Sequence, residues 1–175
     1  MNLAAWYLRL RYRRHRFGPG FRGPLGLRIR GPGLVRFGRD VVIHDACGRT
    51  AILTFRPQVE VVIGDRVEID GAGLMAAAGI TVEAGAVLGP CLLVDTDFHP
   101  TDPARRQRGA EPDRRPIRIA SGARIQGKAT ILKGVTVGEG ALVRWAAVVA
   151  SDVPPHAIVL GNPATVVGVT AAESG

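Results

Sequence analysis

The chain carries an apolar repeat with a period of six residues, and this repeat constrains its fold more than any other feature. Large β-branched residues recur at Ile119, Ile125, Ile131, Val137, Val143 and Val149. A second series, mostly small, follows each of the first five by four positions, at Ala123, Ala129, Val135, Ala141 and Ala147. An α-helix repeats its face every 3.6 residues and a strand every 2, so neither explains a sustained period of six. The repeat predicts a hexapeptide β-helix, in which three hexads close one triangular coil.

Earlier copies of the repeat indicate that the β-helix begins near residue 37. Apolar residues six positions apart occur at Phe37 and Ile43, at Ile63 and Ile69, and at Val82, Leu88 and Val94. The interval from Ile63 to Val82 is one residue longer than three hexads. We therefore expect a single-residue bulge near Leu74 and Met75.

A long interruption of the repeat contains the strongest candidate for chemistry. After Val94 the repeat resumes only at Ile119, so a loop at about 95–118 leaves the β-helix and returns. Long loops inside compact domains are usually functional or disordered. His99 stands where the chain departs, in an Asp-Thr-Asp-Phe-His-Pro segment. An imidazole exchanges protons near neutral pH and a neighbouring carboxylate can hold its tautomer, so we favour a functional loop over a bland surface insertion.

The two ends of the chain differ from the repeat. Residues 1–39 contain ten Arg and no Asp or Glu, and they supply the whole net charge of +8. We divide the chain into a basic N-terminal arm over 1–36, helical in part, the β-helix over 37–156 and a C-terminal cap over 157–175. Leu, Trp, Tyr and Arg mix in residues 1–17, which would suit a basic amphipathic helix on an anionic membrane surface. An arm that caps the first coil or docks on a neighbouring subunit explains the pattern equally well, and no nucleic-acid motif accompanies the charge.

Composition narrows the class of protein further. The 175 residues suffice for one domain with a substantial core. No stretch is long enough to span a bilayer. Cys47 and Cys91 form no disulfide framework, so a reducing cytoplasm is the simplest setting.

Three ordered motifs resemble those of the hexapeptide-repeat acyltransferases. They read Ala-Thr-Ile-Leu-Lys-Gly-Val-Thr-Val-Gly at 129–138, Ser-Asp-Val-Pro-Pro at 151–155 and Gly-Asn-Pro-Ala at 161–164. Over about residues 37–169 the chain is similar to the maltose, galactoside and nodulation-type O-acetyltransferases and their exopolysaccharide relatives. The resemblance implies an all-β, left-handed parallel β-helix, an exception to the usual right-handed crossover. It also implies a homotrimer with active sites between subunits, and transfer of an acyl group from acyl-coenzyme A to a hydroxyl or amine.

The resemblance assigns roles to residues around the interrupting loop. His99, followed by Pro100, matches the family's general base, which takes the proton from an acceptor hydroxyl as its oxygen attacks the thioester. Asp97 or Asp95 would orient His99 or hold a sugar hydroxyl, and the sequence does not choose between them. Cys91 replaces an Asn common in relatives, so it is expected beside the acceptor.

The positions that hold acetyl-coenzyme A in the family are altered in this chain. Arg144 and Trp145 replace a common Gly-Ala pair, and Ala150 and Ser151 replace a Thr-Lys pair that helps hold the nucleotide phosphates. Trp145 suits packing slightly better than a wall against pantetheine or adenine. The resemblance implies that the donor passes corners containing Gly127, Lys128, Lys133, Arg144, Trp145, Ala150 and Ser151, where relocated cations meet its phosphates.

The sequence therefore predicts an acyl-coenzyme A-dependent O-acyltransferase that acts on a hydroxyl of a sugar, glycan or glycolipid precursor. We expect it in the cytoplasm or peripherally on the inner face of the membrane. The altered donor positions leave open a catalytically inactive or non-coenzyme-A scaffold. A zinc-dependent hydratase of the carbonic anhydrase type shares the fold but needs three His ligands. The four His here lack a suitable spacing, so no metal is expected.

Overall fold

The computed structural model describes residues 3–170 and has the form of a three-faced prism built from parallel strands. The first two residues of the predicted arm and the last five of the predicted cap lie outside the described residues. The chain visits the faces, here called A, B and C, in that order on each coil. The predicted all-β parallel β-helix is confirmed.

The strands stack in register along each face. Face A comprises β1 (Arg16–Phe17), β3 (Leu34–Phe37), β6 (Glu60–Ile63), β9 (Ile80–Val82), β12 (Ile117–Ile119) and β15 (Thr136–Val137). Face B comprises β4 (Val42–His44), β7 (Glu68–Asp70), β10 (Val87–Leu88), β13 (Arg124–Ile125), β16 (Leu142–Val143), β18 (Ala157–Gly161) and β19 (Ala164–Val169). Face C comprises β2 (Arg28–Arg30), β5 (Ala51–Thr54), β8 (Gly73–Ala76), β11 (Leu92–Val94), β14 (Thr130–Leu132) and β17 (Val148–Val149).

The predicted hexad residues fill the interior of the prism. From Ile119 to Val149, both the large and the small series are at most 2% exposed. Each large residue stacks on its equivalent one coil away, as Leu88 does on Ile125. Full burial of such a side chain contributes about 1.5–3 kcal/mol, so the stacked series is the main source of stability.

Two predicted details of the repeat are wrong. The core residue of β11 is Leu93 rather than the predicted Val94, because Leu93 stands in register with Leu74 and Ile131. Strand β8 pairs with β5 and with β11 without a register shift, so there is no bulge near Leu74 and Met75. Instead, the interval between equivalent inward residues is shorter than a hexad before β8 and longer than a hexad across the corner after β8, at residues 77–79.

The parallel ladder begins at Arg16, well before the predicted boundary at 36/37. Strand β1 pairs with β3 and β2 pairs with β5, so the basic segment builds most of the first coil. Only the inward residue of each short strand must be apolar, as Ile29 is between two exposed arginines. Before this coil, helix α1 (Leu3–Arg11) buries Ala5 and Leu8 against the end of the core.

The described part of the C-terminal segment folds back on itself. Strand β18 continues face B in parallel with β16, and β19 returns antiparallel beside β18. Val153 makes the last bridge on face A, to Val137, just before the two prolines. No helix within residues 3–170 is long and apolar enough to cross a membrane.

Candidate functional site

The interrupting loop leaves the edge between faces C and A and returns through a short antiparallel stem. The Asp97 N–H donates to the Asp113 carbonyl oxygen over 3.0 Å, and the Arg115 N–H donates to the Asp95 carbonyl oxygen, also over 3.0 Å. An isolated antiparallel bridge between Thr96 and the opposite strand completes the stem. The two ends of the loop are therefore joined to each other at the surface of the prism.

Asp95 binds the backbone of the corner that follows β8. Its side chain is fully buried. One carboxylate oxygen accepts the backbone N–H of Ala77 at 2.6 Å, and the other accepts those of Ala78 at 2.8 Å and Gly79 at 2.7 Å. These three donors belong to the long corner after β8, where they would otherwise lack partners. This burial does not support the expectation that Asp95 binds the acceptor, because both of its oxygens already accept backbone N–H groups.

Lys133 binds both strands of the stem. Its Nζ lies 2.6 Å from Asp97 Oδ1 and 3.5 Å from Asp113 Oδ2. The Lys133 and Asp97 side chains are only 20% and 21% exposed, so this pair is shielded from solvent more than a surface pair. The Asp97 carboxylate thus pairs with an ammonium group and not with the imidazole of His99. For the same reason, Lys133 is not a free cation for donor phosphates.

His99 presents its imidazole to solvent at the base of the loop. Its backbone N–H donates to the Asp97 carbonyl oxygen over 2.7 Å, and the Phe98 N–H donates to Thr96 Oγ1 over 3.2 Å. Phe98 has a φ of 60°, and its ring meets the Phe55 ring edge to face at 5.6 Å. Among residues 3–170, no group forms a hydrogen bond or ion pair with the imidazole. The backbone therefore fixes the position of His99 while both ring nitrogens stay available.

The outer part of the loop is also ordered by specific contacts. Helix α2 (Pro103–Gln107) begins after Asp102, whose carboxylate accepts the N–H of Ala104 at 2.7 Å. Glu111 pairs with Arg114 at 2.6 Å and with Arg56 at 2.7 Å, which ties the loop to the corner after β5, two coils below the start of the loop. Hydrogen bonds from Arg114, and then from Arg56, hold the pKa of Glu111 below its usual value.

Cys91 lies inside the prism, away from the loop. It occupies the corner before β11, whereas the loop follows β11, so the two stand at opposite edges of face C. Burial raises the pKa of the Cys91 thiol to about 12. The thiol is therefore neutral and buried, which does not support the expectation that Cys91 contacts the acceptor. Cys47 is exposed, and both thiols are free.

The predicted donor residues fall on two different edges of the prism. Lys128, Arg144 and Trp145 lie on corners between faces B and C, together with Gly127. The other three predicted residues, Lys133, Ala150 and Ser151, lie on corners between faces C and A. The structure thus groups the first four and separates the other three from them by the width of face C.

The ring of Trp145 covers Gly127. A Cβ at Gly127 would lie 2.5 Å from a ring carbon of Trp145, so a larger residue there would displace the ring. The backbone N–H of Trp145 donates to the side-chain oxygen of Gln126 over 3.0 Å, which fixes this corner. Trp145 remains 55% exposed. It therefore packs on the neighbouring corner and also presents a ring face to solvent.

A groove of about 1060 Å³ runs along face B beside Trp145. Its apolar floor includes Val87 and Leu142, and its polar lining includes Arg124 and His156. Arg124 was not predicted as a site residue, although strand alternation next to the inward Ile125 indicates that its side chain points outward. Within residues 3–170, no group of three His, Cys, Asp or Glu side chains is placed to hold a metal ion.

Comparisons with known proteins agree with this architecture. No family profile matches the chain. It is 43% identical over 95 residues to nodulation protein L of Rhizobium meliloti, covering 54% of the chain and 51% of that protein. The chain thus spans about half the length of this relative.

Solved structures match over nearly the whole chain. A Vibrio cholerae hexapeptide-repeat acetyltransferase in complex with acetyl-coenzyme A has a TM-score of 0.66 at 22% identity, covering 97% of this chain and 78% of that one. A variant of the Bacillus cereus N-acyltransferase AntD, in complex with coenzyme A and an amino sugar nucleotide, has a TM-score of 0.78 at 18% identity, covering 95% and 90%. These structures establish the fold, and the resemblance to hexapeptide-repeat acetyltransferases is confirmed.

Proposed function

We propose that the protein transfers an acyl group from acyl-coenzyme A, most simply acetyl-coenzyme A, to a hydroxyl of a sugar, glycan or glycolipid precursor. The observation that carries this proposal is the exposed, unpartnered imidazole of His99, held at the base of a clamped loop. His99 takes the proton of the acceptor hydroxyl, and the oxygen attacks the thioester carbonyl. The carbon–sulfur bond then breaks, and the coenzyme A thiolate takes the proton back from the imidazolium, which restores the enzyme. The similarity to nodulation protein L and to acetyltransferase structures supports the same chemistry.

The groove on face B is the proposed donor site. Its exposed Trp145 ring and apolar floor suit pantetheine or adenine, and Arg124 lies within it. Lys128 and Arg144 are exposed on the adjoining edge, where they would meet the phosphates. We do not assign this role to Lys133, because its ammonium group already pairs with two carboxylates.

The proposed site needs a second copy of the chain. His99 lies on the edge between faces C and A, and this edge is opposite face B in a three-sided prism. One chain therefore does not bring its own imidazole to its own groove. In a homotrimer of side-by-side prisms, the loop of one subunit would reach the groove of the next, and three such sites would form. Light scattering that gives a stable monomer at micromolar concentration would contradict this arrangement.

Donor binding can be tested by titrating the protein with acetyl-coenzyme A in a calorimeter. We expect Arg124→Ala and Arg144→Ala to weaken binding, because cations contact the phosphates in ground and transition states alike. Lys133→Met should leave donor affinity unchanged. If the wild type gives no heat of binding, the alternative of a catalytically inactive scaffold is favoured. The Trp145 ring over Gly127 is the observation that supports this alternative.

The base can be tested with His99→Ala in a turnover assay on a panel of sugars. Losing a general base typically costs roughly 10²–10⁴-fold in rate. His44→Ala is the matched control, since His44 is exposed on β4 far from the loop. Hydroxylamine treatment of the product separates an ester from an amide, and a resistant product would make the enzyme an N-acyltransferase.

Because the proposed donor is acyl-coenzyme A and both cysteines are free, we place this reaction in the cytoplasm.

A further inference from the structure

Helix α1 carries apolar residues on two opposite sides. Ala5 and Leu8 face the prism and are buried. The opposite side presents Leu3, Trp6, Tyr7 and Leu10, which are 78%, 52%, 42% and 44% exposed. These four follow the i, i+3, i+4, i+7 pattern that forms one stripe on a helix. A helix that only capped the core would need one apolar stripe, so the second stripe lacks a purpose within the chain.

Cations surround this outer stripe. At 100° per residue, Arg9 and Arg11 lie on its two flanks, and Arg13 and Arg14 follow the helix directly. All four side chains are exposed, and none forms a salt bridge with any carboxylate in residues 3–170. The first acidic residue of the chain is Asp40, which lines a cavity together with Trp6 and Arg9, so one nearby carboxylate stands against these four cations. The surface around the stripe is therefore strongly positive.

The helix is fixed to the prism rather than loosely attached. The Tyr12 hydroxyl donates to the Leu27 carbonyl oxygen over 2.9 Å and accepts the Ile29 N–H over 3.3 Å. His15 Nδ1 accepts the Val35 N–H over 3.2 Å. The outer stripe therefore has a set orientation, and little conformational freedom would be lost when it meets a partner.

We propose that this surface, the outer stripe of α1 with its flanking arginines, docks the protein on an anionic lipid bilayer. Trp, Tyr and Leu at the centre of a basic helix suit the boundary between head groups and acyl chains. Arginines at the flanks reach lipid phosphates with their stems along the apolar region. A nucleic acid would meet the same charge but would leave Leu3 and Leu10 exposed to water. Two copies of this surface would repel each other.

Docking in this way sets the height of the candidate site above the membrane. Along face C, β11 lies three strands beyond β2. Strands are spaced about 4.8 Å apart, so the start of the loop stands roughly 14 Å above the first coil. An acceptor carried by a lipid head group would therefore have to extend beyond the head groups to reach His99.

The test is sedimentation of the full-length protein with vesicles of phosphatidylcholine containing 30% phosphatidylglycerol, compared with pure phosphatidylcholine. Each arginine near an anionic surface contributes about 1 kcal/mol, so the triple variant Arg11→Gln, Arg13→Gln, Arg14→Gln should lower the partition coefficient roughly 100-fold. The double variant Trp6→Ser, Leu10→Ser should lower it roughly tenfold, because half-exposed apolar side chains enter the interface. Truncation is a poorer test, since it removes the contacts of Tyr12 and His15.

The matched control for charge is Arg105→Gln, Arg106→Gln, Arg108→Gln, three exposed arginines on and after α2. This variant has the same net charge as the first triple variant and should bind as the wild type does. Raising ionic strength from 0.1 M to 1 M shortens the Debye length from about 10 Å to about 3 Å and should release the protein. In a Trp145→Phe background, Trp6 emission should shift to the blue on binding.

Three results would overturn the proposal. The first is failure of the wild type to sediment with anionic vesicles at 0.1 M salt. The second is equal binding by the Trp6→Ser, Leu10→Ser variant, because charge alone would then account for the attraction, as it would with nucleic acid. The third is a smaller oligomer for that double variant in light scattering, which would make the stripe a contact between subunits.

Discussion

The substitution Asp95→Asn should destabilise the fold far more than the small chemical difference between the two side chains suggests. Asp95 accepts three backbone N–H groups at 2.6–2.8 Å from a fully buried position. An amide of the same shape has only one accepting oxygen. In its better orientation, the oxygen of the introduced amide still accepts the N–H groups of Ala78 and Gly79. Its NH₂ group then faces the N–H of Ala77, which loses its acceptor. One bond is lost, and two change from charged to neutral acceptors.

The magnitude follows from these three bonds. A hydrogen bond to a charged group contributes about 1.5–3 kcal/mol, and charge-assisted bonds are roughly twice as strong as neutral ones. The lost bond costs about 1.5–3 kcal/mol and the two weakened bonds together cost a similar amount. We expect the free energy of unfolding to fall by about 3–6 kcal/mol. In a domain of this length each kcal/mol shifts Tm by roughly 2–4 °C, so Tm should fall by at least about 6 °C.

Urea and thermal unfolding, followed by circular dichroism at one chain concentration, measure this effect. Asp113→Asn is the control, because its carboxylate lies on the other strand of the stem and is half exposed. A surface pair of this kind contributes about 0–1 kcal/mol. If Asp95→Asn lies within 1 kcal/mol of the wild type, the buried carboxylate does not hold the corner and the reasoning fails.

Four further results are expected. Ile131→Ala, at a fully buried core position, should lower the free energy of unfolding by about 2–5 kcal/mol in urea, whereas Thr130→Ala on the outer surface should change it little. Iodoacetamide at pH 8 should label Cys47 in the native protein and leave Cys91 intact. Since the pKa of Cys91 rises from 9.0 to about 12 on folding, only the unfolded thiol ionises above pH 9, so stability should fall between about pH 9 and 12. Lys133→Met should speed hydrogen exchange in the loop stem and lower kcat at least tenfold with Tm little changed, and unaltered stem exchange would show that Lys133 does not clamp the loop.

The repeat was readable from sequence because the interior of a narrow prism tolerates only apolar side chains of suitable size. The first coil was harder to recognise, since its strands between Arg16 and Arg30 carry arginine at outward positions. The spacing of its inward residues also departs from six. Charge in that segment suggested an arm, although period-2 alternation around Ile29 was present.

The site was predicted less well because of a register error of one residue. If Val94 were the inward residue, strand alternation would turn Asp95 outward, where it could orient His99 or hold a sugar hydroxyl. The inward residue is Leu93, so alternation turns Asp95 into the prism instead. The pairing of Lys133 with Asp97 joins residues on successive coils across a loop, and no local pattern encodes it. The covering of Gly127 by Trp145 could have been found, since equivalent corners stand 18 residues apart.

Because its stem joins the two ends of the interrupting loop, the loop can change in sequence and length without changing the prism. Its ends are already joined by the bonds of Asp97 and Arg115 and by Lys133. Closing a longer segment between fixed ends costs only about 0.6 kcal/mol for each doubling of length. Residues 100–112 could therefore be exchanged for segments of other lengths, with His99 kept at the base of the loop, while the coils above and below keep their register. A scaffold of this kind can acquire new acceptors by loop replacement, without redesign of its core.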